Sequence, residues 1–197
     1  MVELIDFPIC DRGVLSARLL EEGTHNFHQA IKHMSQLPYG RISDNKDLSL
    51  ILTEKRGTYT TKHAFLVKLA RENNVRELKL TLTVIHMHES HTAGVNTLLS
   101  RYSLPTFPEA RGYLKYDGHL FDVCSGTALN ESFADYLIAE IDIEPQQIGR
   151  FKTKYHQNFI KNWLQIEKLH NRWTAEEIWK IREECIHEMS RQNGFGI

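Results

Sequence analysis

Cysteine is scarce and unpaired in these 197 residues: Cys10, Cys124 and Cys185 are odd in number and none belongs to a CxxC pair. That excludes a disulfide framework and a thiolate zinc knuckle, and it points to a reducing compartment. Net charge is lacking as well, because 24 basic and 25 acidic residues leave only −1. Such a chain offers no global basic field for nucleic acid and carries no acidic tail. No apolar run approaches the roughly 20 residues that cross a bilayer. Residues 1–8 hold two acids where a secretory signal would need a basic stretch and an apolar core. The expectation is a cytoplasmic protein without membrane contact. Phosphate-binding glycine loops are missing too, since Gly57-Thr58 lacks the lysine spacing of a P-loop. Only five prolines are scattered along the chain, with no repeat and no linker-like tract to divide it.

What is present is an ordinary globular composition, 41% hydrophobic and 25% charged. A chain of this length can bury a core as one domain. The reading is a single domain over 1–197, with an N-terminal helical segment at 1–23, a core at 24–125 and a helical extension at 126–197. Apolar positions Leu15, Leu19, Leu20, Phe27, Ala30, Ile31 and Met34 predict two helical pieces, broken near Gly23 and stopping before Pro38. Thr24 is the expected cap of the second piece. Ala64, Phe65, Leu66, Leu69 and Ala70 predict a helix over 60–74 with one buried face. Alternation of Leu78, Leu80, Leu82 and Val84 with polar residues predicts a strand over 78–87. The dipeptide Asp117-Gly118 predicts a tight hairpin between 112–116 and 119–123. Beyond Ser125 the pattern reads as helical at 131–140, at 145–170 and from Thr174, where Thr174-Ala175-Glu176-Glu177 is a capping-box pattern.

The order of helix, loop, Gly57-Thr58-Tyr59-Thr60-Thr61-Lys62-His63-Ala64-Phe65-Leu66, strand, and then Glu109-Ala110-Arg111-Gly112-Tyr113-Leu114 through Phe121-Asp122 resembles the transglutaminase-like superfamily, in a bacterial branch. The resemblance covers residues 24–125. It implies an α+β, papain-like fold, with a central helix packed on an antiparallel sheet and additional C-terminal helices. It also implies a Cys-His-Asp site, whose matching positions here are Tyr59, Arg111 and Asp122. In such a site a helix N-terminus lowers the cysteine pKa, an imidazole takes its proton and a carboxylate orients the imidazole. Tyrosine and arginine supply neither that nucleophile nor that base at neutral pH.

The leading reading is therefore a catalytically degenerate transglutaminase-like domain, with a peptide or protein ligand in the former active-site groove. In this reading Tyr59 fills the cleft and Arg111 pairs with Asp122. A competing reading is a hydrolase or acyltransferase of amide or thioester bonds that uses Cys124, two residues beyond Asp122. Against that stands the common role of a free cysteine as a small buried hydrophobe. A third reading places a divalent metal on His86, His88 and His91, where two imidazoles share a strand face and the third follows a turn. No other cofactor is expected. The stripe Phe151, Tyr155, Phe159, Trp163 and Ile166 reads as a core or partner face rather than a base-stacking platform.

Overall fold

The helix at the centre of the molecule starts where its sequence supplies a cap. Thr58 is extended, and its Oγ1 accepts the N–H of Thr61 at 3.3 Å. The helix then runs over Tyr59–Glu72 with ten buried residues. The computed structural model describes residues 3–87, 95–124, 127–128, 133 and 135–192. In chain order the elements are α1 (Val14–Glu21), α2 (Phe27–Gln36), α3 (Leu50–Glu54), α4 (Tyr59–Glu72), β1 (Lys79–His86), α5 (Val95–Arg101), β2 (Pro108–Tyr116), β3 (His119–Asp122), β4 (Thr127–Ala128), β5 (Leu137–Ile143), a 3-10 turn (Pro145–Ile148), α6 (Arg150–Ile166) and α7 (Ala175–Gln192). The fold is α+β, and among the described residues the strands form one sheet in the order β4-β3-β2-β1-β5. Every pairing in it is antiparallel.

Several sequence expectations hold with small shifts. The first two helices form as separate pieces, but Asn26 rather than Thr24 caps α2, accepting the Gln29 N–H. The hairpin turn places Asp117 at φ 48° and Gly118 at φ 78°. Those paired positive φ values are what a tight primed turn needs, and Asp and Gly tolerate them. Thr174 and Glu177 close the predicted capping box of α7 through three hydrogen bonds. On α6 the expected stripe divides: Trp163 is buried, whereas Phe151 and Ile166 are exposed.

Within the span 131–140, expected to be helical, residues 135 and 136 form a turn and a strand begins at Leu137, while 131, 132 and 134 lie outside the described residues. Leu137–Ile143 is instead β5, the edge strand beside β1. Its alternation of exposed and partly buried positions has the period of two that marks a half-covered strand. Leu137, Ala139, Ile141 and Ile143 carry that period in the sequence. The part of the chain beyond residue 125 thus completes the sheet rather than only adding helices.

Two apolar cores result. The larger packs α4 residues Ala64, Phe65 and Leu66 against Leu80, Leu82 and Val84 of β1 and Ala110 and Leu114 of β2. The smaller joins α5 to α6 and α7 through Leu98, Phe107, Ile160, Trp163, Ile178 and Ile181. Gly112 fixes how closely α4 approaches β2. A Cβ there would lie 2.9 Å from Thr60 Cγ2, and the Gly112 N–H donates to Thr60 Oγ1 at 3.0 Å. No helix of the described residues is long and apolar enough to cross a membrane.

Candidate functional site

The close approach at Gly112 brings the first turn of α4 against the first half of β2, and a cavity of about 380 Å³ opens beside it. That volume lies toward the lower end of the roughly 300–1,000 Å³ usual for small-ligand sites. Its walls come from the loop at Tyr39 to Asn45, from Thr58 to Thr61, from Glu109 to Arg111, from α6 and from α7. It sits between the two cores, with Ile148 on one side and Met87, Phe107 and Trp179 on the other.

Two of the positions expected at the site, Tyr59 and Arg111, line this cavity, and the third, Asp122, is not part of its wall. The Arg111 guanidinium lies over the Tyr59 ring, 4.9 Å from its centroid, and its Nη2 approaches Met87 sulfur at 3.2 Å. Burial lifts the Tyr59 phenol above its ordinary value; the Arg111 charge pulls it back, and Asp122 adds to the rise. Tyr59 is therefore a neutral hydroxyl at physiological pH. Burial also works against charge on Arg111, but Tyr113, Tyr59 and Glu109 outweigh it and the guanidinium stays protonated. The site thus holds a cation–π pair where a thiolate and an imidazole would be needed for acyl transfer.

Asp122 meets groups outside the cavity lining. Its Oδ1 accepts the N–H of Cys124 at 2.8 Å and lies 3.6 Å from His63 Nε2. His63, one turn after Tyr59 on α4, is fully buried. Its Nδ1 meets the Tyr59 carbonyl at 2.6 Å, and its Nε2 accepts the N–H of Val123 at 3.0 Å. An amide can only donate, so Nε2 must be the bare nitrogen and Nδ1 the protonated one. Burial, outweighing the Asp122 carboxylate, keeps the imidazole pKa below its ordinary value. The Cys124 thiol is pushed up to about 12 by burial and then by Asp122. His63, Asp122 and Cys124 offer ligand atoms within 4.8 Å of one another, the only such trio among the described residues. They form neither an activated cysteine nor a ready metal seat, because the base's lone pair is already used and the thiol is held protonated.

Of the expected metal cluster, His86 ends β1, where its N–H donates to the Tyr136 carbonyl at 2.9 Å. His88 and His91 lie outside the described residues.

The cavity also holds groups that the sequence reading passed over. Glu109 and Arg182 form a buried two-pronged pair, Nε to Oε2 at 2.7 Å and Nη2 to Oε1 at 2.9 Å. Burial would raise the Glu109 pKa, but Arg182 and then His156 hold it at about 2. His156, 1% exposed, donates from Nε2 to the Pro108 carbonyl at 2.8 Å, and burial lowers its pKa to about 4. Lys152, one turn before His156 on α6, makes no hydrogen bond or ion pair with the described residues. Burial, helped by Arg182, Arg41 and Arg111 against the pull of Glu109, brings its pKa down to about 8. Two spacings were available as signals: Glu109 and Arg111 two apart on a strand, and Lys152 and His156 four apart on a helix. No family model, curated protein or solved structure matches this chain.

Proposed function

We propose that the chain is a transglutaminase-like domain that has lost acyl-transfer chemistry and binds a peptide or protein segment in the cavity beside Tyr59, Arg111 and Asp122. The observation that carries this reading is the pairing of an open cavity with an unreactive set of groups around it. Tyr59 is a neutral phenol under a guanidinium, and the thiol in the cavity wall, Cys185, has its pKa pushed up to about 12 by burial. Binding needs shape, donors and charge, all of which the cavity retains. What supports the positional match is that Tyr59 opens α4 and Asp122 ends β3, with Arg111 inside β2 rather than at its start.

An amide or thioester hydrolase using Cys124 is the less favoured reading. Its candidate base, His63, accepts from the Val123 N–H and would have to break that bond to take a thiol proton. The test is an arrayed library of acetylated peptides probed with the wild-type chain and with Arg111→Met. Retained peptides that are lost in the variant, with no product by mass spectrometry, are the expected outcome. Turnover of thioester or amide probes, or labelling of Cys124 by iodoacetamide at neutral pH, would reverse the reading. A separate check of the positional match is Tyr59→Cys with Arg111→His, in which the thiol at position 59 becomes reactive.

A further inference from the structure

The charges around the cavity do not balance. Arg41, Arg111, Lys152 and Arg182 face it, against the carboxylates Glu109 and Glu183. Both carboxylates are already committed. Glu109 is held by Arg182, and Glu183 takes Arg41 at 2.7 Å and Arg182 Nη1 at 2.6 Å. Lys152 makes no hydrogen bond or ion pair with the described residues, and the carboxylate that pulls on it, Glu109, is already bonded to Arg182. A cation so weakly compensated in a partly apolar enclosure is costly unless an anion joins it.

Neutral donors surround the same spot. The Tyr39 and Tyr59 rings lie 5.6 Å apart, and neither hydroxyl forms a hydrogen bond with the described residues. Burial raises both phenols above their ordinary values, so both keep a proton to donate. Thr58 Oγ1 caps only the Thr61 N–H at the start of α4, and the other first-turn N–H groups add a positive end to the cavity wall. A guanidinium fork, an amine and phenolic donors match a planar carboxylate. The fixed Glu109 charge on the same wall opposes a dianion more than a monoanion.

Building on the peptide-binding reading above, we infer that the cavity selects a carboxylate on its ligand, seated between Lys152 and Arg111 and capped by the hydroxyls of Tyr39 and Tyr59. The carboxylate belongs either to the free end of a peptide or to an aspartate or glutamate side chain. Burial of the pair strengthens its attraction, so selection is expected to be stronger than surface charge would give.

The experiment titrates the full chain, by calorimetry and by the summed fluorescence of its three tryptophans, of which Trp179 lines the cavity, with acetylated tetrapeptides made in matched sets. One set compares the free C-terminal acid with the amide, and a second compares internal Glu with Gln in amidated peptides. A preference of about tenfold or more for the charged member is expected in one of the two sets, and that set identifies the source of the carboxylate. Lys152→Met should erase the preference and Lys152→Arg should keep most of it, with thermal melts confirming that both variants fold. Equal affinity for charged and neutral members would overturn the carboxylate inference while leaving the binding reading intact. Tighter binding of a phosphoserine peptide than of its glutamate counterpart would overturn it as well. Absence of binding in every set would sink the binding reading itself, and the inference with it.

Discussion

One helical turn along α4 separates two polar environments built from similar residue types, and they have opposite characters. Tyr59 opens onto a cavity with more cationic than anionic side chains, including a lysine without a hydrogen bond or ion pair among the described residues. His63 closes a cluster in which each ring nitrogen is used and the neighbouring thiol and carboxylate lie within 4.8 Å of it. The cluster has the chemical letters of a cysteine site without the freedom to react. The cavity has the room without those letters. Residue identity alone therefore misassigns the two, and what separates them is whether hydrogen-bonding capacity is already spent.

The comparison can be broken most sharply at Glu109. Glu109→Ala should strip buried Arg182 of its two-pronged partner and leave it only Glu183, costing up to about 3–5 kcal/mol of stability, read as a fall in the urea midpoint. If that variant melts like wild type, the cavity wall is not a fixed structure and the contrast with the cluster fails.

Acid titration gives the next effect. His156 has a folded pKa of about 4 against an ordinary value of 6.5. Between those values the unfolded chain holds a proton that the folded chain lacks, so stability should fall as pH drops from 6.5 to 4. The loss is about 3 kcal/mol at most. Glu109, with its folded pKa near 2 instead of 4.5, extends the decline from pH 4.5 to 2. His156→Gln should flatten the upper part of the curve alone.

Within the closed cluster, His63→Leu removes the acceptor for the Val123 N–H and should cost about 2 kcal/mol. A cluster that tolerated this change would not be a sealed structural unit. Cysteine labelling is milder: at pH 7.5 Cys10, which is exposed, should react with a maleimide well before Cys124. The smallest effect is expected at Lys152→Met, within about 1 kcal/mol of wild type at pH 7, because the lysine forms no ion pair to lose. A large loss there would mean that Lys152 supports the fold rather than awaiting a ligand.

Much of the fold was legible because its signals are local. Thr58 and Thr174 cap helices, Asp117-Gly118 turns a hairpin, and alternation marks β1. β5 was misread although its alternation is equally clear, because polar residues at 140 and 142 and a helical neighbourhood favoured the other period. The cavity was partly legible, through Tyr59 and Arg111. Glu109, Lys152, His156 and Arg182 were not, since each has an ordinary neighbourhood in sequence and they meet only when α6 and α7 fold back over β2. His63 went unnoticed as the base nearest Cys124 because 60 residues separate His63 from the Val123 N–H it accepts.

The position of β5 bears on how the chain leaves the ribosome. β1 lies inside the sheet, with six consecutive buried positions and partners on both sides. Until residue 143 has emerged, one side of that strand has no neighbour, and a hydrophobic edge is available to any other nascent chain with a matching segment. Residues 24–125 are therefore not a unit that folds first and waits. Synthesis must pass β5 before the sheet is safe from misassembly, and a fragment ending at residue 125 should precipitate rather than fold.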